Sequence, residues 1–180
     1  MAPSLVRASK FLSLVLRHRP EHIGIALDSA GWVSVDELLA AAQRSGFPLD
    51  RATLERVAAG NDKRRFALSA DGARIRASQG HSVDVDPGLA PQAPPEVLFH
   101  GTATRFLESI RRDGLMPGSR THVHLSPDEA TALTVGRRHG APIVLRVAAG
   151  EMHRGGLALV RSENGVWLAR EVPVRYLALP

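Results

Sequence analysis

Pro87, Gly88, Pro91, Pro94 and Pro95 all fall within thirteen positions, residues 84–96. Proline fixes φ and lacks an amide hydrogen, so neither a helix nor a central strand runs through such a stretch. It reads as a linker. It divides the 180 residues into lobes 1–83 and 97–180, each of about eighty residues. A lobe that small buries only roughly 60–65% of its unfolded surface, so the two are expected to pack together. Hydrophobic residues at 44% and charged residues at 23% are ordinary for a globular chain. No run reaches the ~18 apolar residues of a membrane span, and no basic-then-apolar leader opens the chain. Cysteine is absent, which excludes disulfides, thiolate metal sites and cysteine nucleophiles. A soluble cytoplasmic protein is the expectation.

Periodicity predicts an α+β chain. In the first lobe Leu5, Ala8, Leu12, Val15 and Leu16 share one helical face, and that helix must stop before Pro20. Ser34-Val35-Asp36-Glu37 forms a capping box for a second helix. Asp50 can cap a third, which ends at Gly60. Arg65-Phe66-Ala67-Leu68 and Ala73-Arg74-Ile75-Arg76 flank a turn carrying Asp71-Gly72. Three helices and a hairpin suggest a winged-helix lobe, a shape often used on nucleic acid. The second lobe alternates strands and helices: strands at 97–100, 123–125, 142–147, 157–160 and 166–168, and a helix through Phe106, Leu107 and Ile110 ending at Gly114. Ser126-Pro127-Asp128-Glu129 opens a further helix with an N-cap, an N1 proline and two acids at its positive end.

Formal charge is +5, and Lys10 and Lys63 are the only lysines among 23 cations. Arginine grips phosphate through paired hydrogen bonds, but a coding bias toward arginine accounts for the excess as well. Arg17-His18-Arg19 ends a helix before Pro20, where cations either compensate the helix dipole or receive an anion. Asn61-Asp62-Lys63-Arg64-Arg65 is a second basic cluster, suited to a solvated turn or to phosphate. His100-Gly101-Thr102 leaves a strand, where histidine, bare backbone and hydroxyl can receive a flat polar ligand. Alternation puts His122, His124 and Ser126 on one strand face. Two histidines at that spacing can bind zinc, yet with no cysteine and no H-E-x-x-H run no metal is expected.

Taken in order, these segments resemble the RNA 2′-phosphotransferases, the KptA or tRNA-splicing 2′-phosphotransferase family. The resemblance runs over Leu12 to Pro20, Gly31-Trp32, Lys63-Arg64-Arg65-Phe66 and Gln79-Gly80-His81-Ser82. It continues through His100-Gly101-Thr102, Arg120 to Ser126, Gly136-Arg137-Arg138-His139-Gly140 and Asn164 to Leu168, nearly end to end apart from the linker. It implies a winged-helix RNA lobe joined to an ADP-ribosyltransferase-like NAD lobe. The implied partners are NAD, consumed as co-substrate, and RNA bearing an internal 2′-phosphate, with no membrane; the protein is expected to be a monomer.

The implied reaction has two steps. The RNA phosphate displaces nicotinamide from NAD, giving an ADP-ribosylated RNA phosphate. The ribose 2″-hydroxyl then attacks phosphorus, releasing 2′-hydroxyl RNA and ADP-ribose 1″,2″-cyclic phosphate. The family's essential arginine-histidine-arginine-arginine set carries over to Arg17, His18, Arg65 and Arg120. Arg65 is preferred to Arg64 because the family pattern reads Lys-x-Arg-Phe. His100, Gly101, Thr102, His124 and Ser126 match the NAD-pocket positions. The third triad position falls on Val166, with Glu163 as the alternative. An ADP-ribosyltransferase that stops after the first step, and a nucleic-acid-binding regulator with an inert second lobe, are the rival readings.

Overall fold

A computed structural model describes residues 3–60, 64–85 and 88–180. The expected basic turn at Asn61-Asp62-Lys63, and Asp86-Pro87 of the linker, lie outside the described residues. The chain divides into two compact units, Met1–Gly88 and Leu89–Pro180, and each has its own apolar core. Among the described residues no helix is long and apolar enough to cross a membrane.

In the first unit α1 (Leu5–Arg17) buries Ala8, Leu12, Val15 and Leu16 as their spacing predicts, but Leu5, expected on the same face, is exposed in the first turn, at the edge of the core. It stops because Pro20 excludes helical geometry from the residue before it: Arg19 sits at φ −143°, ψ 64°. After a 3-10 turn at Pro20–Ile23 come β1 (Val33–Ser34) and α2 (Val35–Arg44), the helix capped by Ser34 through the Glu37 amide. Asp50 caps α3 (Arg51–Ala59) by accepting from the Thr53 amide at 2.7 Å. Hydrogen bonds from Thr53 hold its carboxyl below the usual range. β2 (Phe66–Leu68) and β3 (Arg74–Ala77) close a hairpin, with Gly72 at φ 69° in its turn. The sheet runs β1–β3–β2, antiparallel, in register Val33↔Ile75 and Phe66↔Ala77. β1 has two residues, too few for an alternation to reveal it in advance.

The second unit contains β4 (Leu98–Ala103), α4 (Leu107–Asp113), β5 (Val123–Leu125), α5 (Glu129–Gly136) and β6 (Pro142–Val147). α6 (Ala149–Arg154), β7 (Leu159–Arg161), β8 (Trp167–Ala169) and β9 (Leu177–Ala178) follow. Two antiparallel sheets, β4–β6–β9 and β5–β8–β7, are joined where Phe99 and Ser126 exchange backbone hydrogen bonds of 2.9 and 2.8 Å. The architecture is mixed α+β.

β4 runs on to Ala103, β8 sits one residue later than expected, and α6 and β9 are additions to the expected elements; three further differences have identifiable causes. Ser126 does not cap α5, because its amide and carbonyl are committed to Phe99; the cap slips to Asp128, which accepts from the Thr131 amide at 2.7 Å. The strand expected at 157–160 begins at Leu159, because the Leu157 amide bonds back to Met152 at the end of α6. Residues 91–96 are not a free tether. Pro91 bridges to Val160, the Gln92 amide donates to Leu159 at 2.9 Å, and Glu96 takes a forked pair from Arg154 at 2.7 and 3.0 Å.

Candidate active site

The end of α1 organises the first cluster. A helix leaves its last carbonyls without intrahelical donors, and the Arg17 carbonyl is met by the Ser82 amide at 2.9 Å and the Val83 amide at 3.4 Å. This docks residues 80–83 against the helix end. Ser82 also places its hydroxyl 2.9 Å from Nδ1 of the exposed His18. The half-buried Arg17 side chain turns the other way. It donates to the Arg65 carbonyl at 3.3 Å and lies 5.8 Å from the Phe66 ring centroid, within cation–π range. Gly80, at φ 86°, lies alongside the guanidinium: a β-carbon there would stand 3.6 Å from its Nη1, an ordinary contact. Arg65 just precedes β2, and its carbonyl also accepts the Ser78 amide at 2.9 Å. The side chain of Arg17 thus meets the main chain of Arg65, while that of His18 meets Ser82.

Gly31 packs closely against His81. His81 is 2% exposed, and a β-carbon on Gly31 would come 3.3 Å from its ring. Two motifs fifty residues apart in sequence therefore form one structural contact.

In the second unit β4 and β5 hold the other candidates. His100 is partly buried on β4, and its Nδ1 lies 3.0 Å from the His124 carbonyl. A carbonyl only accepts, so Nδ1 carries the hydrogen and Nε2 keeps a lone pair. Burial pushes the His100 pKa below the usual imidazole value; the carbonyl bond opposes this, and the charge of nearby His139 adds to the depression. Arg120 donates from Nη1 to Nδ1 of His124 at 3.2 Å. A guanidinium only donates, so that ring is neutral, with its hydrogen on Nε2. Ser126 continues the β5 face of His124. Thr102 is 6% exposed and shares the β4 side of His100.

Gly101 points to the opposite side of β4, against α5. A β-carbon there would overlap the Ala132 carbonyl and come 2.9 Å from the Gly136 amide. Its bareness serves the strand–helix contact. His122 bonds Thr121 at 3.0 Å, and among the described residues no three histidine or carboxylate groups are placed to hold a metal ion. The β5–β8 register, Leu125↔Trp167, brings Val166 beside Ser126. Exposed Glu163 sits in the Ser162–Val166 turn instead.

Sequence reading left two contributors without a role. His139, inside the quoted Gly136-to-Gly140 motif, is close enough to His100 for its charge to oppose protonation there. Ser78 ties down both candidate arginines of the basic cluster, donating from its hydroxyl to the Arg64 carbonyl at 2.7 Å and from its amide to that of Arg65. Neither signal is local in sequence.

The His100 environment has a measurable consequence. As pH falls through about 6.5 the unfolded chain takes up this proton first, so the second unit loses stability until the lower folded pKa is passed. The slope contributed is at most ~1.4 kcal/mol per pH unit. His100→Gln is expected to flatten the loss as pH falls below about 6.5 in denaturant titrations. An unchanged slope would refute a neutral, desolvated His100.

The family model for "RNA 2′-phosphotransferase, Tpt1 / KptA family" matches residues 3–171. A probable RNA 2′-phosphotransferase of Agrobacterium fabrum is 60% identical over 171 residues, covering 95% of this chain and 92% of that protein. One from Burkholderia lata is 58% identical, covering 98% and 91%. A third, from Streptomyces griseus, is 55% identical, covering 97% and 96%. Agreement at this level across nearly the full length places the chain in the RNA 2′-phosphotransferase family.

Proposed function

We propose that the protein removes an internal 2′-phosphate from RNA in an NAD-dependent reaction, by way of an ADP-ribosylated RNA phosphate. The observation that carries the reading is the end of α1, where Arg17 reaches the main chain of Arg65 and the adjoining His18 shares a hydrogen bond with Ser82. The first unit is read as a winged helix, supported by β1 between α1 and α2 and a β2–β3 hairpin after α3. The second is read as ADP-ribosyltransferase-like, supported by its two three-stranded sheets.

NAD supplies an electrophilic anomeric carbon with nicotinamide as the leaving group, and a neighbouring ribose hydroxyl. The residues present suit it: His100 offers a neutral Nε2 acceptor, and the Ser126 hydroxyl lies on the adjoining strand face. A phosphate arrives already ionised, so Arg17, Arg65 and Arg120 have to orient it rather than deprotonate it. The same groups stabilise charge on the non-bridging oxygens when phosphorus is attacked. His124 holds the Arg120 fork in position. His18, which shares a hydrogen bond with Ser82, is assigned the proton transfer from the ribose hydroxyl to the departing RNA oxygen. Val166 beside Ser126 puts no carboxylate there to repel a phosphate dianion, a cost of ~1 kcal/mol or more at 4 Å.

Incubating a 2′-phosphorylated oligonucleotide with and without NAD tests the reading. Expected products, only with NAD, are 2′-hydroxyl RNA, nicotinamide and ADP-ribose 1″,2″-cyclic phosphate. A stable ADP-ribosyl adduct as the end product would favour a one-step transferase, and retention of the phosphate with no nicotinamide release would overturn the proposal. His18→Ala is expected to accumulate the ADP-ribosylated RNA; unchanged partitioning between the steps would remove its proton-transfer role.

A further inference from the structure

Ser78 is 4% exposed and has no part in the chemistry above. It follows β3 directly, opposite Arg65, which precedes β2. Its amide donates to the Arg65 carbonyl at 2.9 Å and so carries the ladder one step past the Phe66↔Ala77 pair. There Arg64 turns out of the strand, at φ 36°. The Ser78 hydroxyl takes over at that point, donating to the Arg64 carbonyl at 2.7 Å. One serine holds two successive carbonyls, the first through its main chain and the second through its side chain.

Among the described residues Arg64 is the one non-glycine with positive φ. Crowding at the β-carbon disfavours that region for arginine, so the conformation persists only where its surroundings hold it. The Arg64 side chain is exposed, and the hold comes through the carbonyl. Relaxing Arg64 to an extended conformation would swing that carbonyl away from the Ser78 hydroxyl. The same carbonyl belongs to the peptide joining Arg64 to Arg65, and the plane of that peptide sets the direction in which the Arg65 side chain leaves the backbone. A few residues on, the Ser82 amide holds the Arg17 carbonyl at 2.9 Å. Residues 78–82 therefore fix the main chain at both arginines.

We propose that Ser78 is a positioning residue: its hydroxyl keeps Arg64 left-handed, and Arg64 so held aims Arg65 at the 2′-phosphate of the RNA. The proposal rests on the reading above for the phosphate. It is tested by binding without NAD, so the two fail separately.

Fluorescence polarisation compares two RNA oligonucleotides that differ only in an internal 2′-phosphate, and the ratio of their affinities reads the phosphate alone. Ser78→Ala keeps the amide bond to Arg65 and is expected to cut that ratio about tenfold, the scale of one lost bond to a charged group. Arg64→Gly should stay within about twofold of wild type, since glycine takes positive φ without strain. The decisive variant is Ser78→Ala/Arg64→Gly. With no strain left to hold, its ratio should return to within about threefold of wild type; a serine that only fills the strand end gives no such rescue. Ser78→Ala/Arg65→Ala should discriminate no worse than Arg65→Ala alone, because residues acting through one another do not add. A wild type indifferent to the phosphate would overturn the proposal. So would an unchanged ratio in Ser78→Ala, a loss of affinity common to both RNAs, or failure of Arg64→Gly to restore the ratio. Discrimination that follows the expected pattern, in a wild type forming no NAD-dependent products, would overturn the reaction and leave the positioning role standing.

Discussion

Arg65→Ala is expected to slow turnover of 2′-phosphorylated RNA by at least about a hundredfold, the usual cost of losing one fixed donor to developing oxyanion charge, ~3 kcal/mol. Arg64→Ala is expected to stay within about threefold of wild type, or well under 1 kcal/mol. The comparison is clean because both residues act structurally through the main chain. The Arg65 carbonyl receives Arg17 at 3.3 Å and the Ser78 amide at 2.9 Å, and the Arg64 carbonyl receives the Ser78 hydroxyl at 2.7 Å. Alanine keeps every one of those bonds. Arg64 also sits at φ 36°, a left-handed conformation that costs alanine no more than arginine. The difference in single-turnover rate therefore reports the side chains alone. Equal losses would show that the register of the basic cluster is misassigned by one residue.

Gly101→Ala is expected to destabilise the second unit severely. The added β-carbon meets the Ala132 carbonyl and the Gly136 amide, which are backbone atoms that no rotamer change can move. Gly136 in turn has the Thr102 carbonyl 2.8 Å from where its own β-carbon would lie, so β4 and α5 touch through two bare residues. Relieving the overlap requires the helix to withdraw and open a gap beneath it. Overpacking of this kind costs about 1–3 kcal/mol, and more when no side chain can yield. With ~3 kcal/mol lost and about 4 °C or more per kcal/mol for a domain of this size, the Tm should drop by at least about 12 °C. A shift under about 2 °C in calorimetry would mean that α5 is not seated as described.

The helices of the first unit were legible because their determinants are local. Ser34 and Asp50 cap the helices they were expected to cap, and Pro20 ends α1 through its effect on Arg19. β1 was invisible because two residues carry no period. The cap of α5 was misplaced because Ser126 is claimed by Phe99, a partner twenty-seven residues earlier. The candidate site residues were legible only as an ordered set resembling a family. What holds them was not, since each anchor is long-range: Ser82 on Arg17 and His18, Ser78 on Arg64 and Arg65, and the His124 carbonyl on His100. Gly101 shows a further limit. Bare backbone beside a ligand and bare backbone beneath a helix read identically in one dimension.

His124 serves its two neighbours through chemically independent groups. Arg120 is held by the imidazole and His100 by the peptide carbonyl. Truncating the ring leaves the peptide untouched, so substitution here severs one tether and spares the other. The kinetic phenotype of His124→Ala thus reports the imidazole and its hold on Arg120, and leaves the seating of His100 out of the comparison.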